Sequence, residues 1–400
     1  MIEIKNKSDC CGCAACAGIC PKNNIEMRED SEGFRYPQII AENCVNCGLC
    51  ERVCPILNSK DGIIFEQEGY IVQNKEQKIL RESTAGGAFT AIANYALRKN
   101  GVVFGAELSV DLEVRHVYIE TEAELSRFRN SKYVQSFVGG DIYRQAKTFL
   151  DQERTVCFSG TPCQIEGLKN YLGKDYLNLI TVDVVCRAVP SPLIFRKYIG
   201  YQEHKLADKI KSMRFRDKHY GYKYSTMSVI FDRNQDNYHK GVESDPWLRA
   251  FFSNICDRPS CHSCHFRKSY RNSDFTIWDC FHVGRFSKEL DNDKGATRML
   301  VHTVNGKEIF KSVCSDFLYT KVEPEIIIAG VVEMKESVKP NEKREEFFLD
   351  AGWMSDTQLF EKYFPKTIRV KAEYMVRMAC YKLGIYAVVK KIFVRISHKY

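Results

Sequence analysis

No stretch of this sequence approaches the ~18–20 consecutive apolar residues that a membrane-spanning helix needs. Its opening residues, MIEIKNKSDCCGC, carry no apolar export signal either. These two absences set the expectation of a cytoplasmic protein. Proline is scarce, at 11 of 400 residues, which excludes a proline-rich extended chain and a collagenous one. There is no G-x-G-x-x-G and no Walker pattern, so any dinucleotide must be held by a site of another kind. No two histidines stand at H-x3-H spacing, and neither a nucleophile elbow nor a carboxylate pair with a clear role occurs. No catalytic side chain is therefore assigned.

Net basic charge is missing from most of the chain. The net charge is +8, and Lys366–Tyr400 alone holds nine Lys/Arg against Glu373, so this tail carries the whole excess. A nucleic-acid protein would spread basic charge over its body, and no nucleic-acid partner is expected. The tail mixes Met375, Leu383, Ile385, Val388, Val389, Ile392 and Phe393 with its cations. Such a helix can pack on the body with a solvated basic face, dock an acidic partner or lie peripherally on the inner face of an anionic membrane.

Cysteine, by contrast, is abundant: 18 residues, nine of them before residue 55. A reducing compartment argues against a disulfide framework and for metal. The first block is Cys10-x2-Cys13-x2-Cys16-x3-Cys20-Pro21, and the second is Cys44-x2-Cys47-x2-Cys50-x3-Cys54-Pro55. Three thiolates on one tight loop take three iron corners of a cubane, and the cysteine before proline serves the other cluster. Cys10, Cys13, Cys16 and Cys54 are thus expected to hold one 4Fe–4S cluster, and Cys20, Cys44, Cys47 and Cys50 a second. C-x2-C pairs also serve zinc ribbons, but two complete copies with both prolines favour the two-cluster ferredoxin pattern. Cys11 is left over.

Four further cysteines have distinctive surroundings. Cys163 follows a strand-like run in Gly160-Thr161-Pro162-Cys163-Gln164, Cys186 ends another, and Cys261 and Cys264 form a C-x2-C. Strand ends can converge at one sheet edge, and four soft ligands suit a third Fe–S cluster or a zinc ion; buried apolar cysteines are the bland alternative. Cys261-His262-Ser263-Cys264-His265 also matches covalent haem attachment, which the expected compartment disfavours. Ser83-Thr84-Ala85-Gly86-Gly87-Ala88-Phe89-Thr90 opens a helix whose start can face a phosphate, or can simply be capped and closely packed.

Strand-like runs at Tyr70–Val72, Val102–Phe104, Arg154–Ser159 and Leu177–Val185 alternate with helix-like ones at Gly86–Lys99, Pro162–Leu172 and Ser191–His204, with hairpins expected between Lys209 and Phe231. This alternation reads as a mixed α+β or α/β body. The expected division is 1–59, a bacterial-type two-cluster ferredoxin domain; 60–335, a mixed α/β body; and 336–400, a charged linker followed by a basic helical tail.

Taken in order, S-x-x-G-G at 83–87, Asn130-Ser131-Lys132-Tyr133-Val134-Gln135-Ser136, Gly160–Gln164, Cys186, the Cys261/Cys264 pair and Ser273–Thr276 resemble the coenzyme F-420 hydrogenase/dehydrogenase beta-subunit family. The resemblance covers about residues 1–320. It implies an FAD-binding, iron–sulfur body, with Ser83, Gly86, Gly87 and Thr90 contacting FAD, Lys132 and Tyr133 nearby, and Cys163, Cys186, Cys261 and Cys264 on a third 4Fe–4S cluster. The fused ferredoxin looks most like the bacterial branch associated with surface-polysaccharide synthesis. Two departures stand out: Cys186-Arg187-Ala188 in place of Cys-His-Gly, and Trp278-Asp279-Cys280-Phe281-His282 in place of Gly-Asp-Phe-Trp-Gly, which make Cys256 and Cys280 alternative ligands. The expected function is an iron–sulfur flavoprotein oxidoreductase. It would take electrons from a ferredoxin-type partner and pass them through FAD to an organic substrate, such as a sugar nucleotide. The alternative is a relay subunit with no substrate of its own.

Overall fold

The computed structural model describes residues 1–59, 64–233, 237–386 and 388–389. Among the described residues thirteen strands form three sheets. The N-terminal unit carries the hairpin β1 (Ile25–Glu29) and β2 (Arg35–Ile39), flanked by the short helices Ala15–Ile19 and Leu49–Arg52. The body is built on β3 (Glu68–Asn74), β4 (Val102–Leu108), β5 (Val114–Ile119), β6 (Val156–Gly160) and β7 (Leu179–Val184). A smaller sheet follows with β8 (Ile210–Asp217), β9 (Thr226–Phe231) and β10 (Tyr238–Gly241), and the body closes with β11 (Phe275–Asp279), β12 (Thr297–Val301) and β13 (Phe317–Val322). The large sheet has the order β13-β3-β12-β11-β7-β6-β4-β5. Its centre, β11, β7, β6 and β4, is parallel, and antiparallel strands close both flanks.

The central strands read as apolar runs because helices cover both of their faces: Val102–Phe104 and Val156–Phe158 are fully buried, Cys157 among them as a small hydrophobe. The helix Pro162–Leu172 begins and ends where its chemistry says it should. Thr161 and Gln164 form a capping box, proline takes the first turn, and Gly173 ends it at φ +67°. Ser191 caps the helix Pro192–Leu206 by accepting from Ile194 N, again with proline in the first turn.

The tail differs from the linker that its charge suggests. Helices Arg344–Ala351 and Asp356–Tyr363 bury Phe347, Phe348, Leu359 and Phe360 against Tyr198, Trp247 and the β8–β10 sheet, at about 1.5–3 kcal/mol for each large apolar side chain. Arg344 also reaches the N-terminal unit, with a bidentate ion pair to Glu32 (3.1 and 2.6 Å). The next helix, Ile368–Lys382, leaves Ile368, Met375 and Val376 exposed, but it is anchored by Arg377 on the buried Glu243 (3.1 Å). Residues 387 and 390–400, with Ile392, Phe393 and the last four cations of the basic tail, lie outside the described residues, as do 60–63 at the expected first boundary. Among the described residues no helix is long and apolar enough to cross a membrane.

Candidate functional site

The duplication visible in the cysteine spacing recurs in the backbone. Gly12 and Asn46, each two residues after the first cysteine of its block, take φ +73° and +51°. Ala14 and Gly48, four residues after it, take +62° and +70°. Left-handed residues set between right-handed ones turn successive N–H groups into one concavity, the nest that suits anionic and Fe–S groups. Main-chain N–H groups also aim at the sulfurs: Ile2 N donates to Cys50 Sγ and Asn24 N to Cys20 Sγ, both at 3.4 Å. The chain therefore has the donor set and the loop shape that two cubanes require.

The two sets sit in different surroundings. Cys10, Cys13, Cys16 and Cys54 are all buried. Burial pushes the Cys16 and Cys54 thiols up, and neighbouring sulfurs, Cys10 among them, push the same way. Thiolates packed this tightly need a metal to carry their charge. Cys20, Cys44, Cys47 and Cys50 line a separate cavity of about 30 Å³, and Cys47 is exposed.

In the body, Cys163 follows β6 and Cys186 follows β7, so both stand at the carboxyl ends of adjacent parallel strands, where open α/β sheets place their sites. The 3₁₀ turn Pro259–Ser263 brings up Cys261 and Cys264, and all four line one cavity of about 40 Å³. Burial holds Cys186 up at about 12 as a free thiol, against the opposing pull of Arg267. Among the described residues, no three His, Cys, Asp or Glu groups converge closely enough to grip a single ion. The thiols ring a space, as corner ligands of a cluster do. The alternatives Cys256 and Cys280 are fully buried in other apolar clusters and do not line this cavity.

Three arginines that the cysteine spacing did not single out organise this region. Arg267 donates to the carbonyls of Cys186, Arg187 and Glu333. Arg271 pairs with the buried Asp183 at 3.1 Å, and both Arg267 and Arg271 line the cavity. Arg258 is fully buried where the N-terminal unit meets the body. It donates to Cys10 O (2.7 Å), Arg35 O (3.0 Å) and Gln135 Oε1 (2.9 Å), while Gln135 Nε2 donates to Cys11 O (3.1 Å). Three arginines within fourteen residues, bracketing a C-x2-C, were the available signal.

The loop that opens the Ala88–Arg98 helix is tightly packed. A Cβ on Gly86 would lie 2.2 Å from Val72 O, and Gly86 N donates to Thr297 Oγ1 at 2.8 Å. Gly87 precedes the helix at φ +76°, and Ser83 and Thr90 are buried beside it. Ser131 N donates to Thr84 Oγ1 (2.7 Å), which joins this loop to the one carrying Lys132 and Tyr133. Cations gather there. Arg129 pairs with Glu82, Arg214 donates to Glu82 O, and Lys218 donates to Leu80 O (2.5 Å) and Ala85 O (2.6 Å). Lys132 donates to Arg127 O (2.9 Å) and Arg129 O (3.0 Å). Burial, reinforced by nearby arginines, lowers Lys132 and Lys218 to about 7. Tyr133 turns the other way, stacking on Phe251 at 4.4 Å and accepting from Arg216 at 3.1 Å. A second nitrogen of Arg216, Nη2, is buried without a hydrogen-bond partner.

Fold and cysteine arrangement together define an iron–sulfur electron-transfer protein of the oxidoreductase-subunit type. Comparison with known proteins agrees. Residues 153–325 match the profile of the C terminus of the coenzyme F420 hydrogenase/dehydrogenase beta subunit, and residues 9–57 that of the 4Fe-4S dicluster domain. Over residues 153–325 the chain is thus similar to that beta-subunit family, and its N-terminal end matches a dicluster domain. It is 27% identical over 206 residues to an uncharacterized protein of Methanocaldococcus jannaschii, covering 43% of this chain and 55% of that one. It is 30% identical over 171 residues to the coenzyme F420-dependent sulfite reductase of the same organism, covering 42% of this chain and 26% of that one. It is 32% identical over 65 residues to a 7Fe ferredoxin of Hydrogenibacillus schlegelii, covering 16% of this chain and 77% of the ferredoxin. The first two matches thus span about half and about a quarter of those relatives' length.

Proposed function

We propose that this chain is a flavin-dependent iron–sulfur oxidoreductase that draws electrons from a ferredoxin-type partner and delivers them to an organic substrate. The observation that carries the reading is the gathering of Cys163, Cys186, Cys261 and Cys264 around one cavity directly behind the buried ferredoxin loop. In this reading Cys20, Cys44, Cys47 and Cys50 hold the outer cluster, Cys10, Cys13, Cys16 and Cys54 the inner one, and the four body cysteines a third.

FAD, bound beside residues 83–90, would supply the junction between one-electron and two-electron transfer. Ser83, Gly86, Gly87 and Thr90 shape that face, and Arg129, Lys132, Arg214 and Lys218 supply a concentration of positive charge suited to a pyrophosphate. Main-chain carbonyls hold Lys132 and Lys218 in place while Arg129 and Arg214 pair with Glu82 and Asp217, so an anion bound there would draw the two lysines toward their charged form. The orphaned Arg216 Nη2, next to Asp279, is a donor free to orient a polar substrate. A sugar nucleotide or other glycan precursor is the substrate class we carry forward, from the sequence likeness to the polysaccharide-associated branch. The relay alternative removes only this last step.

Anaerobic purification with iron and flavin quantification tests the reading. About twelve iron, four for each of three clusters, and about one FAD are expected per chain. About eight iron and no flavin would overturn both the body cluster and the FAD site. Lys218→Gln should lower flavin content while leaving iron unchanged.

A further inference from the structure

The helix Ile368–Lys382 presents two unlike faces. Thr367 caps its start by accepting from Val370 N, and one side packs on the β8–β10 sheet and its loops. Tyr381 meets Tyr220 at 5.0 Å, Lys240 lies over the Tyr374 ring at 3.8 Å, and Arg377 pairs with the buried Glu243. Just past the helix, Tyr386 packs on Tyr224 at 4.9 Å. These contacts fix the helix to the body in one rotation. Its opposite side carries Ile368, Ala372, Met375, Val376, Ala379 and Leu383, at i, i+4, i+7, i+8, i+11 and i+15, which is a single apolar stripe. A stripe with that spacing ordinarily faces a core, yet Ile368 is 87% exposed, Met375 63%, Val376 56% and Leu383 72%. Lys371 and Lys382 border it on one side and Arg369 on the other, all three exposed. The one acid of the helix, Glu373, is turned onto Arg377 at 2.9 Å.

We infer that this outer face lies on a membrane surface bearing anionic headgroups, with the helix in the interfacial plane. An apolar stripe bordered by Lys and Arg has the chemistry of that boundary: its side chains enter the edge of the acyl region while the cations meet phosphate and carboxylate. Charge selects the occupant. From Lys366 to Tyr400 the sequence holds nine Lys/Arg against one acid. A second copy of the chain seated on the stripe would set these cations against their own counterparts, whereas an anionic bilayer is complementary to them. Packing on the body and lying on a membrane are therefore not rivals for this helix. The tyrosine face does the first and leaves the opposite face for the second. The inference does not depend on the cofactor assignments above.

The test is co-sedimentation of the anaerobically purified full chain with vesicles of phosphatidylcholine alone and of an equimolar mixture of phosphatidylcholine and phosphatidylserine. The wild type should bind the mixed vesicles at least about tenfold more tightly than the neutral ones, and salt should release it. Met375→Glu combined with Leu383→Glu should weaken that binding by about tenfold or more, because a carboxylate resists the acyl boundary and is repelled by the headgroups. Lys371→Gln combined with Lys382→Gln should weaken it by about fivefold per cation and flatten its salt dependence. All four side chains are exposed, so iron content and unfolding midpoints should match the wild type. No binding to the mixed vesicles would overturn the inference, as would equal, salt-independent binding to both kinds. Binding that survives either pair of substitutions would also overturn it, by placing the contact elsewhere on the chain. A wild-type dimer in analytical ultracentrifugation that the glutamate pair dissolves would overturn it too, by showing that a second copy covers the stripe.

Discussion

The two cysteine blocks share spacing, prolines and loop conformation, yet one is folded into the molecule and the other faces out. Gly12 and Gly48 show the contrast most directly. Both lie at about +70° in φ, but a Cβ on Gly12 would come within 2.6 Å of Gln135 Nε2 and 2.9 Å of Arg258, whereas a Cβ on Gly48 would meet nothing within 4 Å. An identical local motif has thus been given two tasks by its surroundings: the outer loop is accessible to a partner protein, and the inner loop is accessible only to the body. This packing, rather than the cysteine spacing, sets one loop toward solvent and the other toward the body.

The sharpest way to break the contrast is to remove what pins the inner loop. Arg258 is fully buried and donates to two main-chain carbonyls and to Gln135. Arg258→Met leaves those acceptors dry and unpaired, at a cost of about 3–5 kcal/mol. Chemical unfolding should show that loss, with inner-cluster signals weakened before outer ones. An exposed change near the outer loop, Lys22→Ala, should stay within about 0.5 kcal/mol. A mild effect of Arg258→Met would mean that the N-terminal unit docks by some other contact.

The glycine pair comes next in size. Gly48→Ala meets only the backbone cost of a left-handed alanine, about 1 kcal/mol. Gly12→Ala meets that cost and must also displace the Gln135–Arg258 network, so about 2–4 kcal/mol is expected. The difference between the two, measured by denaturant midpoints at constant slope, is the quantity of interest. Equal costs would show that the inner loop can move away from the body without penalty.

Much of this was legible in the chain itself, and the rest was hidden for a physical reason. The helix Pro162–Leu172 could be bounded from sequence because its signals are local: a Thr-Pro-x-Gln start and a glycine stop. The central strands were legible because double burial leaves an unbroken apolar run. The ligand blocks were legible because iron corners fix the spacing. The chain after about Lys335 read as a linker because KESVKPNEKREE is densely charged, while Phe360 meets Tyr198 and Phe347 shares a core with Trp247, a hundred or more residues away in sequence. That Cys11 lines the cavity of the body cysteines was illegible for the same reason: Cys163 is 152 positions further along the chain. The glycines at 86 and 87 were ambiguous between phosphate binding and close packing. Close packing of Gly86 on Val72 and Thr297 is evident, and it leaves the cations around Glu82 as the better mark of an anion site.

The smallest effect, and the one nearest to function, is a rate. Iron leaves a cluster when an oxidant or chelator reaches its sulfurs, so access governs the barrier. Around the outer set Cys47 is exposed, and Met1 and Val45, which line the same cavity, leave apolar surface open to a docking partner. Around the inner set all four cysteines are buried. Under mild oxidation with a chelator, iron should therefore leave in two phases, about four atoms first, with loss of the outer cluster's EPR signal. A tenfold separation of rates corresponds to only ~1.4 kcal/mol of barrier, well within what shielding by a packed domain supplies. Cys10→Ser and Cys44→Ser, each removing a ligand from one set, should identify which phase belongs to which cluster. If the inner iron left first, or both left together, the inner loop would be exchanging with solvent on the timescale of the experiment, and an electron donor could reach it without passing through the outer site.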